Sequence, residues 1–279
     1  GINLFILKIF RLISVWLLNS EENLFLSDAT LSLRENTMKP TTFFITAATA
    51  VSILLICCSE QCDLFLTGLV YQNGFYLHEN LFVDAADTYG EYAICALFAA
   101  VCGIFALKQK FRTLISNKLN FINAKTMLFL CISFFGWCTA LPYGFKIFFR
   151  RARPYQTDIF AGDCTFTNAF VKSFCPTGDS FISGHTSFAM WLFALALVMP
   201  QRIRTPSITA AVGIVLTIAA SRILGGYHFL TDVYFAILLT GCGIWATYKT
   251  MFIAENCANP PETGTPVSHT TTRLYENKL

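Results

Sequence analysis

Residues 206–252 read PSITAAVGIVLTIAASRILGGYHFLTDVYFAILLTGCGIWATYKTMF. Two apolar runs, 206–222 and 229–252, flank a short break. Runs of this kind read as membrane-spanning helices, with tilt and flanking aromatics adjusting those that are short for a bilayer. The break carries Ser221-Arg222, five residues, His228, three residues, then Asp232. His and Asp four apart share one helix face if this is a helical turn. A carboxylate there can hold one imidazole nitrogen and leave the other free to attack. Arg222 is a planar cation suited to a phosphoryl oxygen. Taken alone, the stretch fits equally well a His–Asp pair that ties the end of a membrane helix.

Four more apolar runs lie upstream, at about 41–58, 91–107, 126–148 and 184–200. The chain of 279 residues is 54% hydrophobic and 13% charged, with 28 Phe. Soluble domains carry about 25% charged residues, so the chain reads as an all-α, polytopic membrane protein with six transmembrane helices. Pro142 in the third run predicts a kink. Residues 1–40 are expected to form an interfacial or signal-like segment, apolar but carrying Lys8 and Arg11, and then a polar lead-in. Residues 41–253 form the expected six-helix membrane domain. The tail 254–279, rich in Pro, Thr, Asn and Glu, is expected to be disordered and cytoplasmic. The net charge of +3 comes without any basic-aromatic groove pattern, so no nucleic-acid partner is expected.

Loop charges set the orientation. Residues 108–125 hold Lys108, Lys110, Arg112, Lys118 and Lys125 without an acid, so this loop is expected in the cytoplasm. Loop 59–90 has several acids and no Lys or Arg, so it is expected outside, and Arg202 and Arg204 again inside. The aromatics of loop 59–90 (Phe65, Tyr71, Phe75, Tyr76 and Phe82) suit either a platform guiding lipid or an anchoring aromatic belt.

Two further stretches fall at the same, outer, face: residues 146–154, KIFFRRARP, and residues 181–185, FISGH. The order Lys-x6-Arg-Pro, Ser-Gly-His, Ser-Arg-x5-His-x3-Asp resembles the type-2 phosphatidic acid phosphatase family, membrane lipid phosphate phosphatases. The family's second motif is usually Pro-Ser-Gly-His; Ile182 stands here in place of the Pro. That departure removes no chemical group, because Pro only stiffens the turn. Loop 155–182, with two Cys before SFISGH, is similar to that of bacterial lipid A phosphatases. The resemblance implies that His228 attacks phosphorus and forms a phosphohistidine. It implies that Asp232 orients His228 and that His185 protonates the leaving alkoxide, then acts as base on water. Lys146, Arg153 and Arg222 would supply fixed charge. The N–H groups of Ser183 and Gly184, at the start of the fourth run, would supply an anion-binding helix terminus. The implied setting is a bacterial inner membrane with the site facing the periplasm or exterior.

No His/Asp/Glu cluster for magnesium or zinc is evident, so a metal-independent reaction with no cofactor is expected. Of eleven Cys, most lie in apolar runs and read as small core residues. Cys164 and Cys175 share one outer loop, where an oxidising compartment would let them pair; two free thiols are the alternative. Arg150 and Arg151 fit either a second contact to a polyanionic head group or snorkelling toward lipid phosphates. His78 and His269 read as ordinary exposed residues. Three substrates compete: lipid A, undecaprenyl pyrophosphate and phosphatidylglycerophosphate. Rival classes are a lipid-phosphate transporter and a vanadate-type haloperoxidase. Six spans disfavour the second.

Overall fold

The computed structural model describes residues 40–111 and 121–253. The N-terminal segment, residues 112–120 of the basic loop, His269 and the tail 254–279 lie outside the described residues. The fold is all-helical. Helices α1 (Pro40–Cys57), α2 (Ser59–Gly68) and α3 (Leu81–Lys110) come first. Helix α4 (Ala124–Cys131) continues through a π-helical stretch (Ile132–Ala140) into α5 (Leu141–Phe149). After a loop come α6 (Gly184–Ala189), α7 (Trp191–Leu197), α8 (Gln201–Leu224) and α9 (Leu230–Tyr248). No strand occurs among the described residues, only isolated bridges at Tyr71–Phe75 and Thr157–Cys164.

Four segments are long and apolar enough to cross a membrane: Leu81–Lys110, Ala124–Gln156, Gln201–Leu224 and Leu230–Ile253. Helices α1 and α2 would make a fifth span only as a pair, bent by 81°. The expected span at 184–200 is instead a shorter apolar helix, Gly184–Leu197. At about 1.5 Å per residue it reaches roughly 21 Å, short of a bilayer core of ~30 Å. Its first residues are buried in the protein: Ser183, Gly184 and Thr186 are all inaccessible. Pro142 falls in the first turn of α5, directly after the π-helical stretch. The departure from α geometry lies ahead of it, as the π-helical stretch.

Helix α2 is inverted relative to a soluble helix. Ser59, Asp63 and Thr67 point inward and are buried, while Phe65 is 70% exposed. In water this would be a misfold; beside lipid it is the favoured arrangement, because polar groups must find partners inside the protein.

Two apolar clusters hold the helices. The larger joins α4, the π-helical stretch, α7 and α9 through Phe129, Leu130, Phe134, Trp191 and Ile244. The smaller lies under the 150–183 loop: Phe149, Phe170, Phe181 and Phe235. Phe170 meets Phe181 and Phe235 edge-on, both at 4.7 Å between centroids. Edge-to-face rings fix orientation as well as burying area. Two backbone bonds, Ser173 N–H to Phe149 O and Ser180 N–H to Arg151 O, fasten the loop to the end of α5. Cys164 and Cys175 are joined by a disulfide, with Cα atoms 5.6 Å apart.

Candidate active site

His228 lies in the turn between α8 and α9, shaped by Gly226 at φ +71°, where a side chain would also collide with the Phe75 ring. Its imidazole is buried. Nδ1 lies 3.3 Å from Ser180 Oγ and 3.7 Å from Asp232 Oδ2. Ser180 Oγ donates to Asp232 Oδ2 at 2.6 Å, and the Phe229 N–H donates to the same oxygen. Asp232 therefore reaches His228 chiefly through the Ser180 hydroxyl, a link absent from the sequence expectation of a direct pair. Nε2 has no hydrogen-bond partner among the described residues. Burial pushes the imidazole down to a pKa of about 3, against the pull of the Asp232 carboxylate, and the charges of Arg153 and Lys146 add to the lowering. The ring is thus neutral at pH 7, with a lone pair on Nε2.

Arg151 is neither a head-group contact nor a snorkelling side chain; it is 1% exposed. Its guanidinium donates to Asp232 Oδ1 at 2.6 Å, to Asp63 Oδ2 at 2.8 Å and to the Thr231 hydroxyl and Thr167 carbonyl. It also lies over the Phe229 ring, 4.5 Å from the centroid. Asp63, on α2, accepts from the Thr231 N–H and hydroxyl. Two buried carboxylates would repel; the planar Arg151 fork between them holds both and fixes Asp232. Arg150 is the left-handed C-cap of α5 and is exposed.

Lys146 and Arg153 sit on either side of Asp179. Arg153 binds it through two contacts of 2.6 and 2.7 Å, and Lys146 Nζ is 3.8 Å away. Burial opposes ionisation of Asp179, but the hydrogen bonds and charge of Arg153, with Lys146, hold it below the usual carboxylate range. A Cβ on Gly184 would lie 3.3 Å from Lys146 Nζ, so the second motif abuts the first. The Ser183 N–H is not free for an anion as expected; it donates to the Asp232 carbonyl. Its hydroxyl caps α6 by accepting from the Thr186 N–H. That leaves Gly184 and His185 as the helix's first N–H groups without a helical acceptor.

His185 is held by α3. Nε2 lies 3.0 Å from the Asp87 carbonyl and Nδ1 3.3 Å from Glu91 Oε1. Each ring nitrogen faces an oxygen, so a proton on either has a partner. Asp87 also pairs through Oδ1 with Arg222 Nη2 at 2.7 Å. Arg222 is fully buried, stacked on the Tyr227 ring at 4.1 Å. Its Nε and Nη1 have no hydrogen-bond partner among the described residues. A buried donor left unmade costs about 1–3 kcal/mol, so these guanidinium N–H groups are suited to an anionic acceptor.

The structure thus brings together all eight residues from the three motifs: Lys146, Arg153, Ser183, Gly184, His185, Arg222, His228 and Asp232. It adds Asp63, Asp87, Glu91, Arg151, Asp179 and Ser180, which spacing did not single out. Asp63 had a readable signal, an acid beside the apolar run LFL. His78 is exposed but partnered: Nδ1 bonds to Gly225 O, and Nε2 lies 3.4 Å from the Tyr227 hydroxyl. Among the described residues, no group of three or more His, Cys, Asp or Glu is placed to hold a metal ion.

Membrane-length helices carry a His–Asp pair with cations beside it, an arrangement suited to an anion. Residues 124–255, just under half of the chain, match the PAP2 superfamily. The chain is 38% identical over 84 residues to the lipid A 4'-phosphatase of Rhizobium etli, covering 30% of this chain and 33% of that protein. The Rhizobium leguminosarum lipid A 4'-phosphatase is also 38% identical over 84 residues, 30% of this chain and 36% of that protein. The Francisella tularensis subsp. novicida lipid A 4'-phosphatase is 29% identical over 143 residues, 50% of this chain and 64% of that protein. The matches therefore span about a third of the Rhizobium relatives and less than two thirds of the Francisella relative. No solved structure matches the chain significantly.

Proposed function

We propose that this chain is a lipid phosphate phosphatase that hydrolyses a phosphate monoester through a phosphohistidine. The observation that carries the reading is the buried Arg222, whose Nε and Nη1 lack an acceptor. A phosphoryl group between Arg222, Arg153, Lys146 and the first N–H groups of α6 would supply one. His228 Nε2, neutral and unpartnered, attacks phosphorus in line with the leaving oxygen. Ser180 and Asp232 hold the Nδ1 proton and stabilise the charge that develops on the ring. His185, as the imidazolium and with one nitrogen turned off the α3 oxygens, gives a proton to the departing alkoxide, then as the neutral ring takes one from the water that breaks the phosphorus–nitrogen bond. Glu91 and the Asp87 carbonyl hold His185 in place between the steps.

The lipid A 4'-phosphatases named above make lipid A, or a related lipid phosphate, the favoured substrate. Undecaprenyl pyrophosphate and phosphatidylglycerophosphate are the alternatives. Loop charges fit a site on the outer face, the periplasmic side if the membrane is a bacterial inner membrane, and six spans across residues 41–253 then require the bent α1–α2 pair and the short helix Gly184–Leu197 each to cross. A binding protein without chemistry has no need of His228 or of the Ser180–Asp232 link behind it. The deciding experiment is phosphate release by purified protein from lipid A, undecaprenyl pyrophosphate, phosphatidylglycerophosphate and phosphatidate. Release from none of them would falsify the enzyme reading. Each proton and charge in this scheme is carried by a side chain, so the activity is expected to persist in EDTA. Loss in EDTA, with recovery on adding magnesium, would remove the scheme.

Asp179 already occupies Arg153 and Lys146, so an incoming phosphate must displace its charge. Asp179→Asn is therefore expected to tighten inhibition by inorganic phosphate by about tenfold, the scale of one charge-assisted hydrogen bond. Unchanged or weaker inhibition would show that Asp179 organises the cations rather than competing for them.

A further inference from the structure

Arg150 and Lys172 take no part in the reaction scheme, and the fold sets them at one cavity. Arg150 is the left-handed C-cap of α5 and is exposed. The Ser173 N–H bonds to the Phe149 carbonyl, which brings residues 172–174 of the loop against the end of that helix. Ile147, Arg150, Lys172, Ser173 and Phe174 line a cavity there of about 380 Å³. Lys172 Nζ lies 5.8 Å from the centre of the Phe148 ring. The apolar side chains face away from the core: Phe174 is 89% exposed, and Ile147 and Phe148 are 59% and 55% exposed. No carboxylate lines the cavity. Among the described residues, neither cationic side chain has a hydrogen bond or ion pair. Arg153 and Lys146, by contrast, share Asp179.

We infer that this cavity binds the head-group phosphate of an anionic bilayer phospholipid, outside the catalytic site. Ile147 and Phe148 belong to the membrane-length segment Ala124–Gln156, and exposed apolar side chains on such a segment meet acyl chains. Arg150 follows where the helix of that segment ends. Long basic side chains at the end of a membrane helix reach for the phosphate layer. The occupant follows from both halves of the site. A small soluble anion would meet the two charges but leave Phe174, Ile147 and Phe148 in water. A lipid phosphate meets Arg150 and Lys172 while its upper acyl chain covers the apolar residues. With no carboxylate to displace, the single charge of a phosphodiester suffices. Occupancy requires the bilayer and not the phosphatase chemistry.

The test uses the full chain in detergent, with native mass spectrometry counting bound lipid as phosphatidylglycerol or phosphatidylcholine is titrated in. Wild type is expected to bind phosphatidylglycerol at least about tenfold more tightly, the scale of two cations beside one anionic lipid. Arg150→Gln/Lys172→Gln is expected to lose at least about tenfold for phosphatidylglycerol. Its binding of phosphatidylcholine and its turnover of p-nitrophenyl phosphate should stay as in wild type. Lys172→Gln alone, away from the helix cap, is expected to lose about threefold, so the outcome does not hang on the folding of the cap. Unchanged phosphatidylglycerol binding in both variants overturns the site. Displacement of the lipid by inorganic phosphate at equal concentration overturns it in favour of a free-anion site. Unchanged lipid binding with a raised KM for a doubly phosphorylated lipid A overturns it in favour of a second phosphate on the substrate. The lipid titration reads the site whether or not the chain turns over any substrate, so its failure is separate from failure of the phosphatase reading.

Discussion

His228→Ala is expected to release no phosphate from a lipid phosphate or from p-nitrophenyl phosphate, a loss on the order of 10⁴-fold or more. The reason is its place in the scheme: every substrate must pass its phosphoryl group to Nε2. His185→Ala is expected to behave differently. A lipid alkoxide leaves badly without a proton, and general acid catalysis is worth about 10²–10⁴-fold, so the lipid substrate should suffer that loss. p-Nitrophenolate needs little protonation and should be released with a much smaller deficit. The measurement is phosphate release by both variants on both substrates, with thermal melting as a check on folding. If His228→Ala turns over p-nitrophenyl phosphate and His185→Ala does not, the two roles are reversed. If both retain lipid phosphatase activity, the site is elsewhere.

Arg151→Met is expected to be the most destabilising single change near the site. It leaves Asp63 and Asp232 buried with no cation between them, and breaking a buried pair this way costs about 3–5 kcal/mol. It also frees Asp232, so activity should fall even well below the melting temperature. Asp63→Asn added to Arg151→Met removes one of the stranded charges while keeping an acceptor for Thr231. That double variant should recover part of the lost stability and little of the activity. The check is thermal inactivation of all three proteins at matched detergent concentration. Wild-type stability and turnover in Arg151→Met would show that the network does not position Asp232.

The reach of the sequence was uneven for a physical reason. Lys146-x6-Arg153, Ser183-Gly184-His185 and Arg222-x5-His228-x3-Asp232 each lie within a short stretch of chain, so spacing exposes them. Asp63, Asp87 and Glu91 come from α2 and α3, far away along the chain, and no local pattern ties an acid to a cation across such a distance. Loop 59–90 was legible for its aromatics and its lack of Lys and Arg, yet Asp63 within it faces inward. Arg150 and Arg151 are adjacent and looked equivalent; the left-handed turn at Arg150 sends one out and the other in. Helical class was legible from apolar runs alone. At 184–200 the apolar run corresponds to a shorter helix, Gly184–Leu197, many of whose residues are buried among other helices.

The carboxylates that fill the cation site have a consequence for life among phospholipids. A bilayer presents an immense excess of phosphodiester head groups, each with one negative charge. Bare Lys146, Arg153 and Arg222 would be occupied by them permanently. With Asp179 and Asp87 in residence, a singly charged diester exchanges one minus charge for another and gains little. A monoester arrives with nearly two. The acids thus act as a charge threshold, and ordinary phospholipid should inhibit Asp179→Asn where it leaves the wild type untouched.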